Sequence, residues 1–118
     1  SINENISHTS LPNYKEHRLF VNANPYRYWF LIFSSKKIIG TAYITRLNEI
    51  AIRVEKNSLV VYKETLKLLI ENFKPLKAIP SKRSKNFVIN ISPNNKNLIN
   101  LFSKMGLQKI QETYTIKE

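Results

Sequence analysis

Residues 87–107 read FVINISPNNKNLINLFSKMGL, and this stretch carries the clearest structural signals of the chain. The apolar run Phe87–Ile91 predicts a strand, and the Ser-Pro-Asn that follows it predicts a turn. Asn95 suits the N-cap of a helix that continues to Met105, because apolar residues recur there at helical spacing and Gly106 is a natural stop. The stretch therefore predicts a strand, a turn and a helix, in that order.

Three strands and a longer helix are predicted before this stretch. Aromatic and β-branched residues indicate strands over Tyr26–Phe33, Ile38–Thr45 and Glu49–Val54, and the short turns between them predict an antiparallel meander. The helix that follows has apolar residues at helical spacing over residues 59–73, with Ser58 as its N-cap. This order favours a mixed central sheet with helices in its later connections.

The two ends of the chain have weaker patterns. Residues 1–10 are polar and are expected to be poorly ordered, whereas a short helix is expected from Leu11 to about Val21. A last strand is predicted over Gln108–Ile116. Residues 1–118 therefore indicate one domain of the α/β (α+β) class, in which the meander is followed by helix, strand, helix and strand.

Composition narrows the classes of function. The chain has 19 Lys and Arg against 8 Asp and Glu, a formal net charge of +11, which favours anionic partners or simply a solvated basic surface. With no Cys and two His, neither a thiolate zinc site nor another metal site is expected. The longest apolar run, Trp29–Phe33, is far shorter than the roughly 20 residues of a membrane-spanning helix. A cytoplasmic protein without membrane contact is expected.

Residues 88–107 resemble the closing motif of the GNAT N-acetyltransferases, in which a strand and an Asn precede a helix that ends in an aromatic residue, a Lys, an apolar residue and a Gly. The matching residues are Asn95, Phe102, Lys104, Met105 and Gly106. Residues 28–32 and 39–44 are similar to the second and third strands of that family, and Glu16-His17 is similar to a Glu-His pair of members that acetylate amino sugars. The resemblance implies the GNAT fold, with the family's first strand and helix absent from this short chain.

The resemblance also implies a binding mode for acetyl-CoA. In the GNAT fold two central strands, here Glu49–Val54 and Phe87–Ile91, run side by side and then separate, and the pantetheine arm pairs with backbone groups in the gap. The implied cofactor contacts are the main chain of Ile52, Arg53 and Val54 and the side-chain amide of Asn95. A plain helix N-cap is the alternative role for Asn95, and the two roles are compatible.

Two departures from the family pattern bear on activity. The family holds the CoA pyrophosphate with a glycine-rich loop at a helix N-terminus, but residues 56–62 here read KNSLVVY and contain no Gly. Either Lys56, Asn57, Ser58 and the helix N-terminus hold the pyrophosphate, or it is not held. Many relatives also have a Tyr in the last helix that protonates the departing thiolate, where this chain has Phe102, so water or Tyr62 would have to replace it.

Four residues are expected to act in catalysis or to contact the substrate: Glu49, His17, Tyr26 and Tyr28. Glu49 is the first choice for the base that takes a proton from the attacking amine, and its alternative is an ordinary Glu at a strand edge. His17 is a base or substrate contact if the Glu-His resemblance holds, and otherwise an exposed His on a helix. Tyr26 and Tyr28 are expected to line the acceptor pocket, whereas Trp29 and Phe30 are expected in the core.

The implied function is acetyl-CoA-dependent N-acetylation of a primary amine of a small molecule or amino sugar by direct transfer. The alternative is a catalytically inactive GNAT-like module that binds an anionic ligand or a protein partner through its basic surface. Nucleic-acid binding through the basic segment Ser81–Asn86 is not expected, because charge alone supports it and no recognised motif is present. A homodimer is expected, because so short a chain leaves a sheet edge for a second copy.

Overall fold

The computed structural model of the protein describes residues 6–8, 25–55 and 58–118. Five strands and two helices are formed within these ranges. They are β1 Ile6–His8, β2 Tyr26–Ser34, β3 Lys37–Thr45, β4 Glu49–Val54, α1 Leu59–Asn72, β5 Val88–Ile89 and α2 Lys96–Met105. The helix predicted over residues 11–21 lies outside the described residues.

The described strands form one mixed sheet in the order β1-β2-β3-β4-β5. Neighbours from β1 to β4 are antiparallel, and β5 is parallel to β4, so α1 lies in the connection between two parallel strands. The predicted meander and the mixed α/β architecture are confirmed. One correction concerns the start of the chain, because Ile6–His8 pair with β2 although the polar residues 1–10 predicted no ordered element.

Helix α1 covers one face of the sheet and supplies much of the core. Its predicted N-cap is confirmed, since the Ser58 hydroxyl accepts a hydrogen bond of 3.3 Å from the Val61 amide. Four residues on one side of the helix are buried: Tyr62, Thr65, Leu66 and Leu69. They pack against the buried face of the sheet, to which every second residue of β2, β3 and β4 contributes. These strand residues are Phe30, Ile32, Ala42, Ile44, Ile50 and Ile52. The core therefore lies between α1 and the middle of the sheet.

Helix α2 has the predicted caps but little burial. The Asn95 Oδ1 accepts from the Leu98 amide at 3.1 Å. Gly106 has a φ of 80° and its amide donates to the carbonyls of the last turn, as expected of a left-handed C-cap. All residues of α2 are described and none of them is fully buried. Leu98, Leu101, Phe102 and Met105 are half-buried against the edge of the core, whereas Ile99 is exposed.

The strand predicted over Gln108–Ile116 is wrong. Residues 107–118 are all described and contain no strand or helix. Ile110, Tyr114 and Ile116 are 69%, 80% and 92% exposed. The reason is that strand-forming side chains stabilise a strand only when it pairs with a neighbour, and no described strand pairs with this tail. The predicted strand Phe87–Ile91 is likewise shortened to Val88–Ile89.

A buried asparagine fixes the position of β5 beside β4. Asn48 is fully buried and has a φ of 63°, which Asn tolerates better than most residues. Its Nδ2 donates to the carbonyls of Leu76 and Ser84 at 2.8 and 2.7 Å, and its Oδ1 accepts from the Leu76 amide at 2.8 Å. Its own carbonyl accepts from the Val88 amide at 2.9 Å. Asn48 therefore ties the connection after α1, and the start of β5, to the β3–β4 turn.

Candidate functional site

The parallel strands β4 and β5 separate soon after they meet. Only two residue pairs join them, Glu49 with Val88 and Ile50 with Ile89. The Val88 amide donates to the Asn48 carbonyl, so the backbone of Asn48 faces β5. Backbone N–H and C=O groups of successive strand residues point to alternate sides, so those of Ile50, Ile52 and Val54 face the β5 side as well. Beyond Ile50 no described strand pairs with that side of β4. Ile52 and Val54 therefore present backbone donors and acceptors to an open gap.

A cleft of about 760 Å³ occupies this gap. It is lined by residues of β4, of the start of α1 and of the segment leading into α2: Ile52, Arg53, Val54, Ser58, Leu59, Tyr62, Ser92, Asn94, Asn95, Lys96, Asn97 and Leu98. The N-termini of both helices thus border the same cleft, and each carries a partial positive charge. Arg53 and Lys96 are exposed and add two full positive charges to its lining.

The structure brings together five of the seven residues predicted to contact a cofactor. Ile52, Arg53, Val54, Ser58 and Asn95 all line the cleft. The remaining two, Lys56 and Asn57, lie outside the described residues. Strand alternation changes one expected contact. The Asn48 carbonyl faces β5, so the backbone of Arg53, an odd number of residues further on, is directed toward β3. Arg53 can therefore offer its side chain to the cleft, while Ile52 and Val54 offer main-chain groups.

The capping bonds limit what Ser58 and Asn95 can donate or accept. The Ser58 hydroxyl and the Asn95 Oδ1 each accept from an amide in the first turn of their helices. No described residue accepts a hydrogen bond from the Asn95 Nδ2. Asn95 is therefore a helix cap whose amide group still has donor capacity, so its two predicted roles remain compatible.

Tyr62 lines the cleft directly. The sequence suggests it only as one possible replacement for the proton donor that is missing at Phe102. Its side chain is 6% exposed, and its ring centroid lies 6.0 Å from that of Phe102 on α2. Burial raises the pKa of the Tyr62 phenol to about 12. No described residue accepts a hydrogen bond from its hydroxyl. Its position four residues after the Ser58 cap, on the buried side of α1, is the sequence signal that could have identified it.

Glu49, the predicted base, does not line the cleft. It lies at the end of β4 where β5 is still paired, three residues and thus about 10 Å of extended strand from Ile52. Its Oε1 accepts from the Thr45 hydroxyl at 3.2 Å and its Oε2 from the Asn90 amide at 3.4 Å. Its carboxylate is therefore held at the closed end of the strand pair. His17, the other predicted catalytic residue, lies outside the described residues.

The structure does not bring Tyr26 and Tyr28 together in one pocket. The β2–β3 register shifts between them, so they do not share a face as residues two apart usually would. Tyr26 packs on Tyr43 with ring centroids 4.5 Å apart, whereas Tyr28 packs on Phe73 at 4.6 Å, beside the end of α1. The core position of Phe30 is confirmed at 3% exposure, while Trp29 is half-buried.

The basic connection between α1 and β5 has a structural role. The Arg83 Nε donates to the Lys77 carbonyl at 2.7 Å, and its Nη1 donates to the Arg46 carbonyl at 3.0 Å. The guanidinium thereby fastens the connection to the β3–β4 turn. Lys82 and Lys85 in the same connection are exposed.

Comparison with known proteins adds no family assignment. No protein-family model matches the chain, and a search of curated proteins finds no match.

Within the described ranges, no cluster of three or more His, Asp or Glu side chains could hold a metal ion. No helix of the described part combines the length and apolar character needed to cross a membrane.

Proposed function

We propose that the protein binds acetyl-CoA in the cleft beside β4, beyond the point where β4 and β5 separate, and transfers the acetyl group to a primary amine of a small molecule or amino sugar. In this proposal the chain is a GNAT-like N-acetyltransferase. The observation that carries it is the separation of two parallel strands after only two residue pairs, with the backbone of Ile52 and Val54 facing the gap.

The lining of the cleft suits the parts of this cofactor. The pantetheine arm is an extended chain with two amides, and it can pair with the main chain of Ile52 and Val54 as a peptide pairs with a sheet edge. The phosphates are anions, which favour helix N-termini and the side chains of Arg53 and Lys96. The cleft volume of about 760 Å³ lies within the range of roughly 300–1,000 Å³ usual for ligand sites.

The absence of a glycine-rich loop changes how phosphate would be held. Leu59 and Val60 at the start of α1 have side chains that keep a phosphate from approaching the backbone closely. The start of α2 offers the polar residues Asn94, Asn95 and Lys96 on the opposite side of the cleft. In the proposed complex, side-chain contacts from β4 and α2 therefore replace the backbone grip of a glycine loop.

The transfer step requires no covalent enzyme intermediate. The amine nitrogen attacks the thioester carbonyl carbon, a C–N bond forms, the C–S bond breaks and its electron pair remains on sulfur. The surplus proton of the amine passes to a water molecule. Glu49 is the final acceptor of that proton where ordered water connects it to the cleft. Main-chain amides facing the gap can polarise the thioester carbonyl, and most of the rate increase comes from holding both reactants in place.

A binding module without catalysis is the second candidate, and two observations favour it. Glu49 is held by Thr45 and Asn90 away from the cleft lining. Phe102 occupies the helix position at which the resembled family has a proton donor. In this second case the basic surface of the chain binds an anionic ligand or a protein partner without turnover.

Calorimetric titration with acetyl-CoA tests the proposed site. We expect micromolar affinity, and Lys96→Ala should weaken it about tenfold through the lost phosphate contact, as is typical of a charge-assisted hydrogen bond. Lys104→Ala is the matched control, because Lys104 lies in the last turn of the same helix and outside the cleft lining. No binding at millimolar acetyl-CoA would exclude the N-acetyltransferase and leave the binding module, with another anion or a protein as its ligand.

Release of the CoA thiol in the presence of a panel of amines separates the two candidates. Polyamines, amino sugars and amino acids should be compared with acetyl-CoA alone. Amine-dependent thiol release supports the N-acetyltransferase. Tight binding with no release above the uncatalysed rate supports the binding module.

A further inference from the structure

The connection between α1 and β5 carries a concentrated positive charge. Between Glu71 and Glu112 the sequence contains no Asp or Glu, and five of the residues 74–85 are Lys or Arg. None of these five forms an ion pair with a carboxylate of the described residues. Four of them are lysines with exposed side chains: Lys74, Lys77, Lys82 and Lys85.

Hydrogen bonds hold this connection in a fixed shape. The amides of Lys82 and Arg83 donate to the Ile79 carbonyl at 3.0 and 2.8 Å, and the Ile79 amide donates to the Arg83 carbonyl at 2.9 Å. The Arg83 guanidinium and the buried Asn48 side chain fasten the connection to the β3–β4 turn. A surface loop that is already ordered loses little conformational entropy when a partner binds to it.

An open depression of about 390 Å³ lies in this connection and is lined by residues 78–84. The lining combines the apolar residues Ala78, Ile79 and Pro80 with the positive charges of Lys82 and Arg83. Ile79 is 38% exposed, so apolar surface is available directly beside the charges. The depression shares no lining residue with the cleft beside β4.

We infer that this depression is a docking site for an acidic protein segment in which an apolar residue stands between carboxylates. The apolar side chain packs on Ile79, and the neighbouring carboxylates pair with Lys82 and Lys85. The site does not depend on acetyl-CoA binding, and for the second candidate function it gives the class of partner.

A nucleic acid suits this surface less well than an acidic protein segment does. Its phosphates use only the cations, and single strands also need exposed aromatic rings on which their bases stack. Residues 77–86 contain no aromatic residue, and the neighbouring Phe87 is half-buried against the core. The apolar lining of the depression finds no partner on a phosphate backbone, whereas an acidic protein segment uses both the charges and the apolar surface.

Fluorescence anisotropy with two labelled peptides tests the site in the intact protein. One peptide has a Leu between two pairs of Glu, and the other has Ser in place of that Leu, so the two carry equal charge. We expect the Leu peptide to bind about tenfold more tightly, because its side chain is removed from water in the depression. Equal affinity of the two peptides overturns the inference, since attraction by net charge alone gives that result.

Charge reversal tests the location of the site. The double variant Lys82→Glu, Lys85→Glu should weaken binding of the Leu peptide about tenfold, because two attractions become repulsions. The matched control is Lys36→Glu, Lys37→Glu, which makes the same change in net charge at exposed residues. These residues lie at the opposite end of β3, about 26 Å from the β3–β4 turn. The control should weaken binding less than about twofold, and equal weakening by the two variants overturns the inference.

Arg83→Lys separates the shape of the depression from its charge. Lys keeps the positive charge but lacks the planar fork with which Arg83 donates to the Lys77 and Arg46 carbonyls. The preference for the Leu peptide should fall from about tenfold to about twofold, while the Ser peptide binds as before. An unchanged preference overturns the role of the fixed loop in forming the site.

A single-stranded oligonucleotide of the same charge as the peptides is the competing ligand. If it binds more tightly than the Leu peptide and is weakened by Lys82→Glu, Lys85→Glu, the surface binds nucleic acid and the inference is overturned. Peptide binding is measured without acetyl-CoA, so it is read separately from the titration of the cleft. Failure of either proposal leaves the other standing.

Discussion

The two helices are attached to the protein in different ways. Helix α1 places four buried residues against the sheet, whereas α2 has a side-chain cap at its start, a glycine C-cap at its end and no fully buried residue. The two sequences do not predict this difference in burial. Helix α2 has the sharper separation of polar and apolar residues and the clearer start and stop signals, and yet it is the less buried helix. Capping thus determines whether a helix forms, and the neighbouring sheet determines how firmly it is held. The cleft lies between the N-termini of one firmly packed helix and one lightly packed helix.

The largest expected effect contrasts a buried leucine of α1 with a half-buried leucine of α2. Leu66 on α1 is 2% exposed, and Leu66→Ala should lower the free energy of unfolding by about 3 kcal/mol through lost burial and an unfilled cavity. Leu101 on α2 is only half-buried, and Leu101→Ala should cost about 1 kcal/mol. Urea denaturation measures both. Equal losses would show that α2 is as firmly packed as α1.

Asn48 should come next, because it holds the connection that leads to β5 and α2. Asn48→Ala leaves the amide of Leu76 and the carbonyls of Leu76 and Ser84 without their side-chain partner, so we expect a loss of about 2–3 kcal/mol. Asn86→Ala in the same connection is the control, since Asn86 is exposed. Urea denaturation again gives the difference. A neutral Asn48→Ala would mean that the position of β5 beside β4 depends on other contacts.

Removing a single N-cap tests whether α2 depends more on its ends than α1 does. Asn95→Ala and Ser58→Ala each remove one side-chain acceptor worth about 1 kcal/mol. Amide hydrogen exchange should become about fivefold faster throughout α2 after Asn95→Ala, and Asn95→Ser should reverse it. After Ser58→Ala, the amides of Leu66 and Leu69 should keep their protection because the core holds that part of α1. Loss of protection at those amides would contradict the comparison.

The smallest expected effect is that of the C-terminal tail. Deletion of residues 108–118 should change the free energy of unfolding by less than about 0.5 kcal/mol, because all of these residues are exposed.

Sedimentation of the full and shortened chains also tests the expected homodimer, which stays a prediction. If the full chain is a dimer and the shortened chain a monomer, the exposed apolar residues of the tail belong to an interface between copies.

Local signals account for the parts of the fold that were predicted well. Ser58, Asn95 and Gly106 act through hydrogen bonds or dihedral angles within a few residues, so their roles follow from their immediate neighbours. The meander strands were also predicted closely, because aromatic and β-branched residues are joined there by short turns. The strand predicted over 108–116 failed for the complementary reason, since a strand also needs a partner that lies far away in the chain.

The candidate site was predicted only in part. Ile52, Arg53, Val54, Ser58 and Asn95 meet in one cleft, as the resemblance implied. Tyr26 and Tyr28, both expected to line an acceptor pocket, pack on different aromatic partners because a register shift lies between them, and such shifts leave little trace in sequence. The importance of Asn48 was missed because its three partner groups lie 28 to 36 residues further along the chain.

The sequence by itself determined the class of fold, the helix caps and the positive charge, because each depends on residue types and near neighbours. Only the tertiary structure decided that β4 and β5 separate after two pairs, that both helix N-termini border the resulting cleft, and that the tail finds no place in the sheet. These features depend on how distant segments approach one another, and the free energies involved are set by packing and register rather than by local preference.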